Sequence, residues 1–279
     1  MHYLVSCSIC KDEDDYILDF IEYNKFVGIE HFIIYDRSKI PLEETLKDRK
    51  DVTIIRFPEP NKHAEAWLHC INNFQGFSKW CMFFDIDQFV MLHHHNDMKV
   101  LLQDYEDVGG LGINWLCFGN NNHIDKPSSP QLLSYTKRNL LQDPVNSHIQ
   151  SCCQLDKLMP VLPGTPHHLH MNHGFNTVNE KYDIITTPTT PVIVGDKINL
   201  AHFYTRSFQE WNEKVHKRRA DTNSFGRELD GKVQRVNTKS LNEDPAVNAD
   251  LNYFYDVNKS FNDVEDFSLS EIYKKYKGI

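Results

Sequence analysis

Short apolar runs at 3–9, 31–35, 52–57 and 80–84, with helical patterns between them, constrain the fold more than any other feature of this chain. Each run is bounded by polar residues, as a strand buried on both faces is. The intervening 12–27 segment opens with acidic residues, places Ile17, Phe20, Ile21 and Val27 on one side, and stops at Gly28. Acidic residues favour a helix's first turn and glycine its end. A short helix at 41–47 and a longer one at 63–73 complete the alternation. Repeated βα units imply an α/β protein with a doubly wound, mostly parallel sheet, whose ligands collect beyond the strands' carboxyl ends.

Asp85 and Asp87 follow the last of these runs, one residue apart, and Asp36 ends the second. Side chains at i and i+2 of an extended segment point the same way, so the pair is expected to project together into the crevice that Asp36 also borders. Like charges that close raise one carboxyl pKa unless a cation lies between them. A magnesium or manganese ion held by carboxylates and by substrate phosphates meets that need. The plainer alternative is a solvated turn.

A formal net charge of -9 disfavours nucleic acid or an anionic membrane as the main partner. Seven cysteines, an odd number without the spacing of a secreted disulfide framework, suggest a reducing compartment. Cys7 and Cys10 have C-x-x-C spacing but span a predicted buried strand, so they read as core thiols. No stretch is apolar enough for a signal sequence or an integral membrane segment. The expectation is a soluble cytoplasmic protein of a bacterial cytosol or a virus-infected host cell.

Beyond residue 97 the rhythm changes. A helix is expected at 98–105, strands at 111–116, 132–136, 148–155, 192–194 and 198–204, and a helix at 207–220. The stretch 160–173, rich in proline and histidine, reads as irregular, and 221–243 as a polar, mobile connection. Helices resume at 246–255 and 268–276.

Several stretches, in order, resemble glycosyltransferase family 92 and its bacterial and viral relatives in the broad family-2 class, which have the GT-A fold. They are "CSICKDEDDYILDFIEYNKFVGIEHFIIYDRS" from Cys7, "AEAWLHC" from Ala64, "WCMFFDIDQF" from Trp80, "GINWLCFGNNNH" from Gly112 and "HFYTRSFQEW" from His202. The resemblance implies a metal-dependent, inverting transfer of a sugar from a nucleotide diphosphate sugar, a UDP-sugar foremost, to a hydroxyl of a glycan or glycoprotein acceptor. It implies Lys11 and Asp36 at the nucleoside, Asp85 at donor and metal, and Asp87 and His202 completing a Mn2+ (or Mg2+) site. A strand histidine satisfied by the core is the plainer reading of His202. Arg206 falls in the same motif and, with Lys214, Lys217, Arg218 and Arg219, adds positive potential for phosphates; a solvated helix face is the alternative for the latter four.

Residues 1–220 are then the transferase domain, with a nucleotide-sugar-binding half at 1–96 and an acceptor-binding half with a smaller sheet at 97–220. Residues 221–279 form a C-terminal helical extension. An inverting enzyme needs a general base near the acceptor hydroxyl. Asp156, at a predicted strand end, is the first candidate, with Asp125 and His123 as rivals; Trp115 and Phe118 are candidates to stack on the acceptor. The chain departs from the family pattern at Gln88, where glutamate is usual, and at Asp12 and His63, where asparagine and glutamine are common. Two rivals stand beside this reading. A zinc hydrolase would use the histidines of "PHHLHMNH" from Pro166, with His93, His94 and His95 as a second cluster. A non-catalytic sugar-binding module would fit the loss of charge at position 88.

Overall fold

A computed structural model describes residues 1–57, 63–216, 227–229, 232–234 and 251–279. Along the chain run β1 (His2–Cys10), α1 (Asp14–Phe26), β2 (His31–Asp36), α2 (Glu43–Leu46), β3 (Val52–Arg56), α3 (His63–Asn73), β4 (Ser78–Phe83), β5 (Gln88–Leu92), α4 (Met98–Gln103) and β6 (Gly110–Cys117). There follow α5 (Gln131–Ser134), β7 (Lys137–Arg138), β8 (Ile149–Gln154), β9 (Thr177–Val178), β10 (Ile184–Ile185), β11 (Ile198–His202) and α6 (Phe208–His216). The chain ends with β12 (Arg227–Leu229), β13 (Lys232–Gln234), α7 (Leu251–Phe261), β14 (Val264–Glu265) and α8 (Ser268–Lys277). Among the described residues, no helix is long and apolar enough to cross a membrane.

Two compact units emerge, one of Met1–Leu116 with Asn146–His202, the other of Cys117–Val145 with Phe203–Ile279. The first holds a mixed sheet in the order β10-β9-β6-β8-β4-β1-β2-β3, with β11 joining β5 and β6. Strands β3, β2, β1 and β4 are parallel. Strand β8 runs antiparallel to both β4 and β6. The carboxyl ends of β1, β2 and β4 therefore share one edge, as the βα alternation implies.

The register explains why β1, β2 and β4 are largely apolar. Cys7 lies between Ile33 and Phe83 on one face, where Trp67 of α3 meets Phe83 at a ring separation of 5.4 Å. Phe32 lies on the other face, where Phe20 of α1 meets it at 6.0 Å and Phe84 at 5.0 Å. A strand covered on both sides leaves no position for a polar surface. Gly28 ends the α1 segment at φ +117°, and a Cβ there would fall 2.2 Å from the Asp97 carboxylate. That position therefore favours glycine on both backbone and space. All seven cysteines are free and buried. Cys7 and Cys10, three apart on a strand, point to opposite faces, and burial pushes the Cys10 thiol up to about 12.

In the second unit, Ser207-x-x-Glu210 forms a reciprocal cap on α6. The Ser207 Oγ accepts from the Glu210 N–H at 3.3 Å while the Glu210 carboxylate accepts from the Ser207 N–H at 3.2 Å. Tyr135 donates to the same carboxylate at 2.5 Å. Arg138 pairs with Asp266 at 2.6 Å, next to the β7–β14 pairing.

Three local expectations change. The 132–136 run is a helical turn, because Pro130 stands at its N-cap and its carbonyl accepts from Leu133 and Ser134; a short apolar run does not distinguish the two states. Residues 192–194 form no strand, since Val194 is bound by the side chains of Asn114 and Asn199 rather than by a ladder. Within the expected mobile connection, β12 and β13 pair antiparallel. Residues 217–226, including Lys217, Arg218 and Arg219, and residues 246–250 of the expected helix lie outside the described residues.

Candidate functional site

Asp85 and Asp87 occupy the turn between β4 and β5, not the strand itself. The Gln88 N–H donates to the Asp85 carbonyl at 3.1 Å, and the Asp85 N–H donates to the Gln88 side-chain oxygen at 3.0 Å. The two carboxylates are thus set by a closed turn, and Gln88, fully buried, is its clasp. Strand β5 pairs with β11 so that His202 stands opposite Gln88. This register, rather than a long loop, brings His202 Nε2 to 3.4 Å from the Asp87 carboxylate. Asp85 in turn accepts from the Gln150 amide of β8 at 3.4 Å.

Trp115 of β6 packs edge-on to His202 with ring centres 4.4 Å apart. Its other neighbours are His148, stacked at 4.8 Å with the planes 16° apart, and His167, edge-on at 5.4 Å. The His167 carbonyl accepts from Ser151 at 2.7 Å, and the preceding Pro166 carbonyl accepts from the Trp67 indole at 3.1 Å, so this loop is tied to β8 and α3.

Carboxylates and a neutral imidazole are hard-to-borderline donors suited to magnesium or manganese. Among the described residues no three His, Cys, Asp or Glu side chains gather as a metal cage; Asp87 with His202 is the assembled part and Asp85 stands on Gln150. A polar occupant suits the place. Gln88 Nε2, Gln150 Oε1 and Trp115 Nε1 are buried and find no hydrogen-bond partner among the described residues, and native structures rarely leave such atoms unmatched.

The edge beyond β1 and β2 is also organised. The Asp12 N–H donates to Ser38 Oγ at 3.1 Å, and the Lys39 N–H donates to the Asp12 carboxylate at 2.8 Å, with Asp12 at φ +55°. Asp36 is fully buried, and its carboxylate accepts from the Ser38 N–H (2.8 Å), the Leu42 N–H (3.0 Å) and Arg56 (2.8 Å). Asp36 thereby holds the 37–42 loop in place. Lys11 sits half-buried at the start of the neighbouring loop.

Other sequence candidates fall elsewhere. Asp156 is exposed in the turn Leu155–Lys157 after β8. Because β8 runs antiparallel to β4, with Ser151 opposite Phe83 and Gln154 opposite Trp80, Asp156 lies at the edge away from Asp85. Five strand steps and two turn steps separate it from the position level with Asp85, roughly 20 Å. It is not placed to serve as the base. Phe118 is fully buried against Phe203 and offers no face to a sugar. Trp115 is only 9% exposed, packed by His148, His167 and His202.

In the second unit, His123 Nε2–H donates to the Ser134 carbonyl (3.2 Å) and Asp125 is exposed. Arg206 is buried at φ +56°, a conformation that costs a non-glycine residue about 1 kcal/mol. The Lys214 amine donates to the Tyr204 carbonyl at 2.9 Å. Of the rival histidines, His168 contacts the Ile185 carbonyl at 3.1 Å and His93 contacts Asn199 at 3.0 Å. Sequence reasoning missed Gln150 and His148, whose only signal was their alternation on one face of a predicted strand.

The sequence matches glycosyltransferase family 92 over residues 2–225. It is 25% identical over 186 residues to the glycosyltransferase family 92 protein Os08g0121900 of Oryza sativa subsp. japonica, covering 64% of this chain and 31% of that protein. The glycosyltransferase family 92 protein RCOM_0530710 of Ricinus communis is 23% identical over 195 residues, covering 63% and 32%. The chain thus spans about a third of the length of these curated relatives. A solved structure of UDP-glucose pyrophosphorylase complexed with UDP-glucose is similar at 12% identity and a TM-score of 0.27, covering 61% of this chain and 74% of that one, a likeness too slight to carry an argument. The match over residues 2–225 covers most of the chain, which belongs to glycosyltransferase family 92.

Proposed function

We propose that this chain is a GT-A-type, metal-dependent, inverting glycosyltransferase that takes a sugar from a nucleotide diphosphate donor, a UDP-sugar foremost, to a hydroxyl of a glycan acceptor. Residues 1–96 supply the donor half and 97–220 the acceptor half of a transferase domain, with 221–279 as a C-terminal extension. The observation that carries the reading is the approach of His202 to Asp87 at 3.4 Å across the β5–β11 register, beside a turn that also sets Asp85.

Asp85, Asp87 and His202 are the residues to hold Mn2+ or Mg2+. When bound, such an ion offsets the negative charge that builds on the departing diphosphate. The loops after β1 and β2, joined through Asp12 and Ser38, form the wall for the nucleoside. Lys11 is the cation offered to phosphate. Gln150 orients Asp85, and Trp115 backs His202 and limits water around it.

Purified protein incubated with UDP-glucose, UDP-galactose or UDP-N-acetylglucosamine and simple glycoside acceptors should release UDP in a manganese-dependent way. Asp87→Asn should lower that release by at least 100-fold while the protein stays folded. Equal turnover in wild type and Asp87→Asn would overturn the assignment. Wild-type binding of UDP-sugar without any turnover would favour the binding-module reading.

A further inference from the structure

Asp156, on the far edge of the sheet, leaves the base of this site unassigned. Strand register supplies a different group. His148, immediately before β8, and Gln150 on it are two residues apart, about 7 Å in extended chain, and share one face. Gln150 reaches Asp85 at 3.4 Å. The Trp115 N–H donates to the His148 carbonyl at 3.0 Å, so Trp115 and His148 are cross-strand neighbours on that same face. Trp115 then abuts His202, which abuts Asp87. Asp85, Asp87, His202, Trp115, Gln150 and His148 thus form one contiguous cluster, with the acidic pair at one end and half-buried His148 at the other.

We infer that His148 is the general base of the transfer, taking the proton of the acceptor hydroxyl at a ring nitrogen; this rests on the transferase reading above. The acceptor oxygen forms its bond to the anomeric carbon as the bond from that carbon to the diphosphate breaks. The diphosphate leaves with the electron pair, and the proton remains on the imidazole.

Two features suit the ring to this task. It is held flat on Trp115, with planes 16° apart, so its orientation is fixed by packing between strands rather than by a loop. The residue is also only partly buried. His167, the nearest rival, sits edge-on to both rings at 5.4 and 5.9 Å and belongs to the 163–169 loop. General-base groups contribute roughly 10²–10⁴-fold to rate.

The test compares wild type, His148→Phe, His148→Ala and His167→Ala, using UDP-sugar turnover with manganese and calorimetric binding of UDP with manganese. His148→Phe keeps the stack and removes the nitrogen. It should lose at least 100-fold in turnover with UDP affinity within threefold of wild type. Added imidazoles should restore His148→Ala at rates that rise with the pKa of the added base, which a purely space-filling rescue would not do. Turnover by His148→Phe within threefold of wild type, or rescue of His167→Ala instead, would overturn the inference alone. Absence of UDP-sugar turnover in the wild type would remove the transferase reading and this inference together.

Discussion

Replacing Asp36 separates a ligand from a scaffold. Its carboxylate is fully buried and accepts two backbone N–H bonds, from Ser38 and Leu42, and one from Arg56, whose side chain is 35% exposed. Hydrogen bonds to a charged group are worth about 1.5–3 kcal/mol each when buried. The Arg56 contribution is smaller, because water screens and replaces it. Asp36→Ala should therefore cost roughly 3–5 kcal/mol, and Asp36→Asn, which keeps one acceptor oxygen, about 2 kcal/mol. In a unit of this size 1 kcal/mol shifts Tm by about 2–4 °C, so Asp36→Asn should melt about 4–8 °C lower. Urea and thermal unfolding followed by tryptophan fluorescence read the stability, and UDP titration at low temperature reads binding by the folded variant. The scaffold account expects UDP affinity within threefold of wild type. Unchanged stability with lost UDP affinity would refute it and make the carboxylate a direct nucleoside contact.

Other consequences follow from the same geometry. Gln88→Ala removes the acceptor for the Asp85 N–H and should weaken Mn2+ binding by about 10–100-fold, as loss of an orienting partner does; an unchanged titration would show that the turn holds without its clasp. Burial pulls the Asp51 carboxyl up, but Arg49 and Lys25 outweigh it and bring it down to about 2. A depressed carboxyl stabilises the fold above its unfolded pKa of about 4 and loses that contribution as pH falls toward 2. Asp51→Asn should therefore flatten the acid limb of stability between about pH 4 and 2, and a limb identical to wild type would contradict the assignment.

How much of this was legible in the sequence follows the physics of each element. Strands β1, β2 and β4 announced themselves because a strand covered by α1 and α3 on its two faces is largely apolar, and half-buried β3 showed through Val52, Ile54 and Ile55. Helix α3 was readable to its ends, and Gly28 marked the stop of α1. Strand β5 was not, since Gln88 begins it with a polar residue that the Asp85 turn requires. The pairing of His202 with Asp87 came from the family resemblance and not from periodicity or spacing, because it depends on the β5–β11 register between distant segments. Asp156 misled because its position after a strand says nothing of direction; only the antiparallel pairing with β4 shows which edge it borders. Phe118 and Phe203, from different motifs, meet as core, and aromatic composition alone does not tell a core ring from a sugar platform.

The central claim is that the acids of the 85–87 turn, with His202, hold a divalent cation that holds the diphosphate. Electron paramagnetic resonance of Mn2+ titrated into the protein with UDP tests it most directly. Wild type and His168→Ala should bind one ion with a signal that responds to UDP, and Asp85→Ala with Asp87→Ala should bind none at that site. A UDP-sensitive signal that persists in the double variant and vanishes with His168→Ala would contradict the account.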